Sequence, residues 1–204
     1  MPGRLSSVSI TLDHEAYAQR RADERARLIS IRRERKVRVG DMLSFAFENA
    51  DTLTYQVQEM AFTERLQDPL ELEHEIELYG RMLPDPHSLV ATMMVELTDP
   101  ATVKDELARL DGLQHSVTLN VAAPGGELVV RSAEIVGPDE DPDDTGPLVS
   151  VHVLRFRFTD AARDAFRDPA VPVELVVDHP EYADATPIAG PTRTALLADL
   201  ALAP

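Results

Sequence analysis

Four groups of side chains in this sequence have types and spacings that could do chemistry. Glu71-Leu72-Glu73-His74 contains Glu-x-x-His, and a carboxylate and an imidazole three residues apart on a helix can share a metal, as in di-iron bundles. Such a bundle needs a second motif of the same kind, which the sequence lacks. The competing reading is a solvated acidic helix face. Gln56, Glu59 and Thr63 recur at helical spacing beside an apolar stripe of Leu53, Val57, Met60 and Ala61. Their tips would enter a cleft, cap backbone groups or pair with the arginines of a preceding helix.

His152 and Arg155 share a strand over residues 148–158, where alternation puts His152 on the apolar face with Leu154 and Phe156, and Arg155 on the other. A histidine there is either a core residue satisfied by hydrogen bonds or a ligand or general base. Asp178-His179 ends a later strand, where side chains emerge at a sheet rim, and Pro180 makes a rigid strand exit the alternative. The cleft candidates are therefore Gln56, Glu59, Arg155, Asp178 and His179. No metal site is assigned; candidates for a His/carboxylate site are Glu59, His152 and His179. The sequence contains no Cys, so no disulfide, thiolate zinc site, Cys-ligated cluster or cysteine nucleophile can form. Neither Walker nor dinucleotide-binding glycine spacing occurs, nor does a nucleophile elbow.

These residues need elements to position them. Residues 12–35 lack Gly and Pro, are dense in Ala, Arg, Glu and Leu, and follow Thr11 and Asp13 as N-cap candidates, which predicts a long helix. One of its stripes runs Ala18, Ala22, Arg25, Ile29, Arg32, and the adjacent one Tyr17, Arg21, Glu24, Leu28, Ile31, Arg35; their arginines are expected to meet carboxylates. A hairpin follows, 36–39 and 42–47 about Gly40-Asp41. Helices are expected over 52–66 and 70–83, divided at Asp68-Pro69.

After Pro84-Asp85-Pro86 strands dominate: 88–97, 116–122, 127–136, 148–158 and 173–178, with helices over 101–110 and 160–166 and a last one over 192–202. An acidic loop is expected over 137–147. The fold class is α+β: a single domain over 1–204, helix-rich over 1–86 and strand-rich over 87–204, with a mixed or largely antiparallel sheet. A helix joining the strands of His152 and His179 suggests a parallel crossover, leaving the histidines roughly 20 Å apart at ~3.3 Å per residue. Antiparallel strands would instead bring both to one rim.

Composition narrows the classes. The chain has 204 residues, 44% hydrophobic but only 5% aromatic, so its core is mainly aliphatic. Its apolar runs are far shorter than the ~20 residues of a membrane span, and no charged-then-apolar leader opens it; a cytoplasmic protein is expected. The formal charge is −16, which argues against nucleic-acid binding. Residues 1–40 carry +5 and the remainder −21.

Several of these segments together resemble a bacterial family known as domain of unknown function 3501, over nearly the whole chain. They are the Arg-rich helix leading into Val37-Arg38-Val39-Gly40, then Phe47-Glu48, Gln56-Val57-Gln58-Glu59-Met60, Tyr79 with Leu83-Pro84, Ala91-Thr92-Met93-Met94-Val95-Glu96, His152-Val153-Leu154-Arg155-Phe156, Asp178-His179-Pro180-Glu181-Tyr182 and Asp199-Leu200. Gly80 stands where the family pattern has Asn, and His74 lies outside that pattern. Members are often encoded beside rubrerythrin-like and iron–sulfur oxidoreductase proteins, so the resemblance implies a redox or peroxide-stress setting and such proteins as partners. It transfers no catalytic residue.

Two functions are expected from these readings. The first is an accessory or interaction protein of a redox system. The second is an enzyme or ligand-binding protein using Glu59, His152, Arg155 and His179, with or without a metal. A concave pocket gathering those four would favour the second, and an exposed apolar patch the first.

Overall fold

In the computed structural model, which describes residue 5 and residues 10–135 and 150–201, four of the helices begin at a capping side chain. Asp13 accepts from the Ala16 N–H and opens α1 (His14–Arg33). Asn49 and Thr52 cap each other reciprocally at the start of α2 (Ala50–Thr63), and Asp68 with Pro69 starts α3 (Pro69–Gly80). Past the C-terminus of α2, Arg65 takes a left-handed φ of 55° and the Leu66 N–H returns to the Ala61 carbonyl. That is a Schellman ending built without glycine.

The strands form one eight-stranded sheet in the order β1-β2-β3-β6-β5-β4-β7-β8, and every pairing is antiparallel. They are β1 (Lys36–Val39), β2 (Leu43–Phe47), β3 (Ser88–Val95), β4 (Val117–Ala123), β5 (Gly126–Glu134), β6 (Val151–Arg157), β7 (Val173–His179) and β8 (Tyr182–Pro187). The last of these was not expected from the sequence. The sheet curls until β8 stands beside β1, where side chains complete the seam in place of a backbone ladder. The Tyr182 hydroxyl donates to the Val39 carbonyl (2.8 Å), and the Thr186 hydroxyl donates to that of Arg38 (2.6 Å). The result is a nearly closed barrel.

Alternation fills the barrel. Inward residues such as Phe45, Met93, Leu119, Leu154, Phe156 and Leu175 are buried in one aliphatic core. α4 (Val103–Arg109), α5 (Asp160–Arg167) and α6 (Gly190–Ala201) add Leu107, Phe166, Leu196 and Leu200 to it. On the outside, α2 and α3 bury a smaller core around Leu53, Val57, Leu72 and Ile76. The helix α1 packs on α2. Of its two stripes, the one with Tyr17, Leu28 and Arg35 faces the protein, whereas Ala18, Arg25, Ile29 and Arg32 stay exposed. No helix among the described residues is long and apolar enough to cross a membrane.

The parallel crossover expected between the strands of His152 and His179 does not occur. Their strands, β6 and β7, are separated by β5 and β4 and run antiparallel to each other. The helix α5 carries the chain across one barrel end, so it does not pack over a sheet face as a βαβ helix would. The acidic loop expected over 137–147 lies outside the described residues.

Candidate functional site

The densest polar arrangement lies in the seam between α2 and the outer face of β2, β3 and β6. Glu48 follows inward-facing Phe47, so alternation turns its side chain outward beneath the start of α2, where it is 3% exposed. One carboxylate oxygen accepts from the Thr92 hydroxyl (2.7 Å), and the other from the Thr52 hydroxyl (2.5 Å) and the Gln56 amide (3.2 Å). Three neutral donors and the positive end of α2 hold this buried acid. Close by, burial raises the Tyr79 phenol above its ordinary pKa, and the carboxylates of Glu75, Glu64 and Glu48 add to the rise.

Arg155 belongs to the same face. Its partner across β3 is Val90, whose carbonyl accepts from the Glu48 N–H, so Glu48 and Arg155 flank Val90 at about 10 Å, two strand spacings. The Arg155 guanidinium donates to the Ser88 hydroxyl (2.7 Å) and to the carbonyls of Arg81 (2.6 Å) and Leu83 (3.1 Å). Burial lowers its pKa, while Asp85 opposes that shift.

Glu59 points the other way, toward α1. Its carboxylate accepts from Arg21 through Nε (2.9 and 3.3 Å) and Nη2 (2.8 Å), and from the Tyr17 hydroxyl (2.7 Å). The Arg21 bonds hold the carboxyl below its ordinary pKa against the opposing effect of burial. Burial, with the Glu59 bond, pushes the Tyr17 phenol up. Gln56 and Glu59 therefore serve two different contacts of one helix.

The remaining candidates are dispersed. His152 faces the barrel interior with its side chain 11% exposed, and its Nδ1 lies 2.6 Å from Glu134. His179 ends β7 in a tight hairpin: its Nδ1 accepts from the Glu181 N–H (3.2 Å), which leaves Nε2 to donate to the Asp111 carbonyl (3.0 Å). That pattern selects the neutral Nε2–H tautomer. Asp178 is exposed on the outer face of β7. Glu71 and His74 are exposed on α3. Among the described residues no three His, Asp or Glu side chains cluster closely enough to hold a metal.

Sequence reasoning missed Glu48, Thr92 and Glu96 as functional or structural centres. The Glu96 carboxylate accepts from Ser44 (2.6 Å), Lys36 (2.9 Å) and Arg38 (2.7 Å) across the outer face of β1 and β2. The signal was present in the segments that carry the family resemblance, since Phe47-Glu48 meets both Gln56 and the Ala91–Glu96 run. It was not legible as a site because Thr92 lies 44 residues from Glu48, and the partners of Glu96 lie 52 to 60 residues from it.

A family model described as "Protein of unknown function (DUF3501)" matches residues 6–200. The chain is also similar to a solved structure, a novel protein of unknown function from Burkholderia pseudomallei K96243. The two share 30% identity and superpose with a TM-score of 0.86, over 97% of this chain and 99% of that one. No curated protein matches the chain.

Proposed function

The chain belongs to the DUF3501 family, and we propose that it is an accessory protein that docks on a partner in a redox or oxidative-stress system of the cytoplasm. One observation carries this reading. Four of the five polar side chains that could have formed a reactive cleft are engaged in bonds within the chain: Gln56 with Glu48, Glu59 with Arg21 and Tyr17, Arg155 with Ser88 and two carbonyls, and His179 with Asp111 and Glu181. They bind helices and hairpins to the barrel, so they maintain a shape. The redox setting comes from the family resemblance, whose members are often encoded beside rubrerythrin-like and iron–sulfur oxidoreductase proteins.

We assign the docking face to α3. Leu70 is 71% exposed there beside the exposed acids Glu71, Glu73 and Glu77. An apolar point within a negative rim suits a partner surface of basic residues around an apolar depression, with charge steering the encounter. Titration calorimetry of the whole chain against the purified rubrerythrin-like and iron–sulfur oxidoreductase proteins tests this. A saturable complex is expected that weakens with salt and loses about tenfold in affinity, 1.4 kcal/mol, in a Leu70→Asp/Glu73→Lys variant. Absence of a complex with both proteins at low salt, or an affinity untouched by that variant, would overturn the reading.

A further inference from the structure

The outward side chains of β5, β4 and β7 face solvent and line a groove of about 290 Å³. Its floor is neutral and hydrogen-bonding: Ser116, Thr118 and Asn120 lie along the line of β4, with Val129 and Val176 on either side. The Thr118 hydroxyl donates to the Asn120 side-chain oxygen (2.8 Å), which leaves the Asn120 amide N–H groups to donate outward. Arg131 and Asp178 stand on opposite sides of this floor. Neither forms a hydrogen bond or ion pair with another described side chain. This sets them apart from Arg21, Arg27, Arg35, Arg38 and Arg109, each of which pairs with a carboxylate.

Sheet register keeps the two charges from meeting. Arg131 pairs with Thr118, whereas Asp178 follows Val177, the partner of Val117. They are thus two strand spacings apart and two residues out of level, about 12 Å between Cα atoms.

We propose that this groove binds a small zwitterion of peptide length, with its carboxylate at Arg131 and its ammonium at Asp178. A guanidinium accepts a carboxylate through paired N–H donors, and a carboxylate accepts an ammonium. An extended tripeptide spans at most ~10 Å, and with a hydrogen bond at each end it needs roughly 16 Å between the two charged groups, which the Cα separation allows when the Arg131 and Asp178 side chains lean away from each other. Its central amides meet Thr118 and Asn120. The groove's volume is near the lower end of ligand pockets, at roughly 300 Å³, so it suits a short peptide. This site is separate from the α3 face, and its success or failure does not bear on partner docking.

The test is an NMR titration of the full chain with triglycine, its N-acetyl derivative and its C-terminal amide, repeated on Arg131→Gln and Asp178→Asn. Saturable shifts are expected at residues 116–120, 129–131 and 176–178. Each blocked analogue should bind roughly fivefold more weakly than triglycine, the upper end for a partly exposed charge pair. Arg131→Gln should bind triglycine and the amide equally, and Asp178→Asn should bind triglycine and the acetylated form equally. Absence of saturable shifts in the groove, or blocked analogues that bind the unsubstituted chain as well as triglycine does, would overturn the proposal.

Discussion

At the scale of single residues, two carboxylates of similar sequence context do different things because of what surrounds them. The hydroxyl of Ser44, then Lys36 and Arg38, lower the Glu96 carboxyl to about 2. A carboxyl lowered in the folded state stabilises it above its unfolded value and loses that contribution as pH falls through the folded one. The unfolded value here is 4.5. Glu96→Gln should therefore lower the melting temperature fully above pH 4.5, and the difference from the unsubstituted chain should shrink toward zero as pH is taken down to about 2. Thermal unfolding across that range checks both limbs. Glu48 is buried and held by neutral donors, so Glu48→Ala leaves Thr52, Gln56 and Thr92 short of an acceptor. The expected cost is about 1–3 kcal/mol in urea unfolding, and a smaller loss would mean that water takes its place.

At the scale of elements, the seam between β1 and β8 depends on one turn. Gly40 has a φ of 60°, and a Cβ there would overlap the Tyr182 hydroxyl. That hydroxyl donates to the Val39 carbonyl and accepts from the Met42 N–H, bracketing the turn. Gly40→Ala should destabilise by at least ~1–2 kcal/mol from the left-handed φ alone, and Tyr182→Phe by about 1 kcal/mol from the lost bonds. Because the overlap is with the hydroxyl, Gly40→Ala should cost less when combined with Tyr182→Phe than alone. A double-mutant cycle with simple additivity would sink this account of barrel closure. The hairpin 36–47 was legible from alternation around Gly40-Asp41. The partner that makes the glycine necessary was not, because Tyr182 lies 143 residues from Val39.

At the scale of the whole molecule, the segment that follows α1 is tied to α6 through charge. Arg35 closes the N-terminal helical region with two bonds to Asp199 on α6 (2.6 and 2.9 Å), and both side chains are under a tenth exposed. Asp199→Ala strands a buried guanidinium and should cost about 3–5 kcal/mol, whereas an apolar Arg35→Met/Asp199→Leu pair should recover most of that loss. Chemical denaturation of the single and double variants distinguishes a buried pair from a dispensable one. The basic helix α1 is likewise bound inward by Glu59 and Asp51. Mobility-shift assays at ~150 mM salt should therefore show no tight binding to duplex or single-stranded nucleic acid; a submicromolar complex would contradict this.

Local chemistry determined much of this protein directly from sequence. The cap at Asp13, the break at Asp68-Pro69, the β1–β2 hairpin and the alternation that turns His152 inward and Arg155 outward all act within a few residues. The meeting of α1 arginines with acids was legible too, with Glu59 among the partners open to them, although Asp51 could not be named. Strand order and closure were decided only by the tertiary structure. A helix between two strands allows a crossover within a sheet face or a passage across a barrel end, and burial of Phe166 in the barrel core selected the second. That choice placed His152 and His179 with separate partners, Glu134 and Asp111. It also set Arg131 and Asp178 on one face. Periodicity assigns a side chain to a face, but only the pairing of distant strands decides which faces meet.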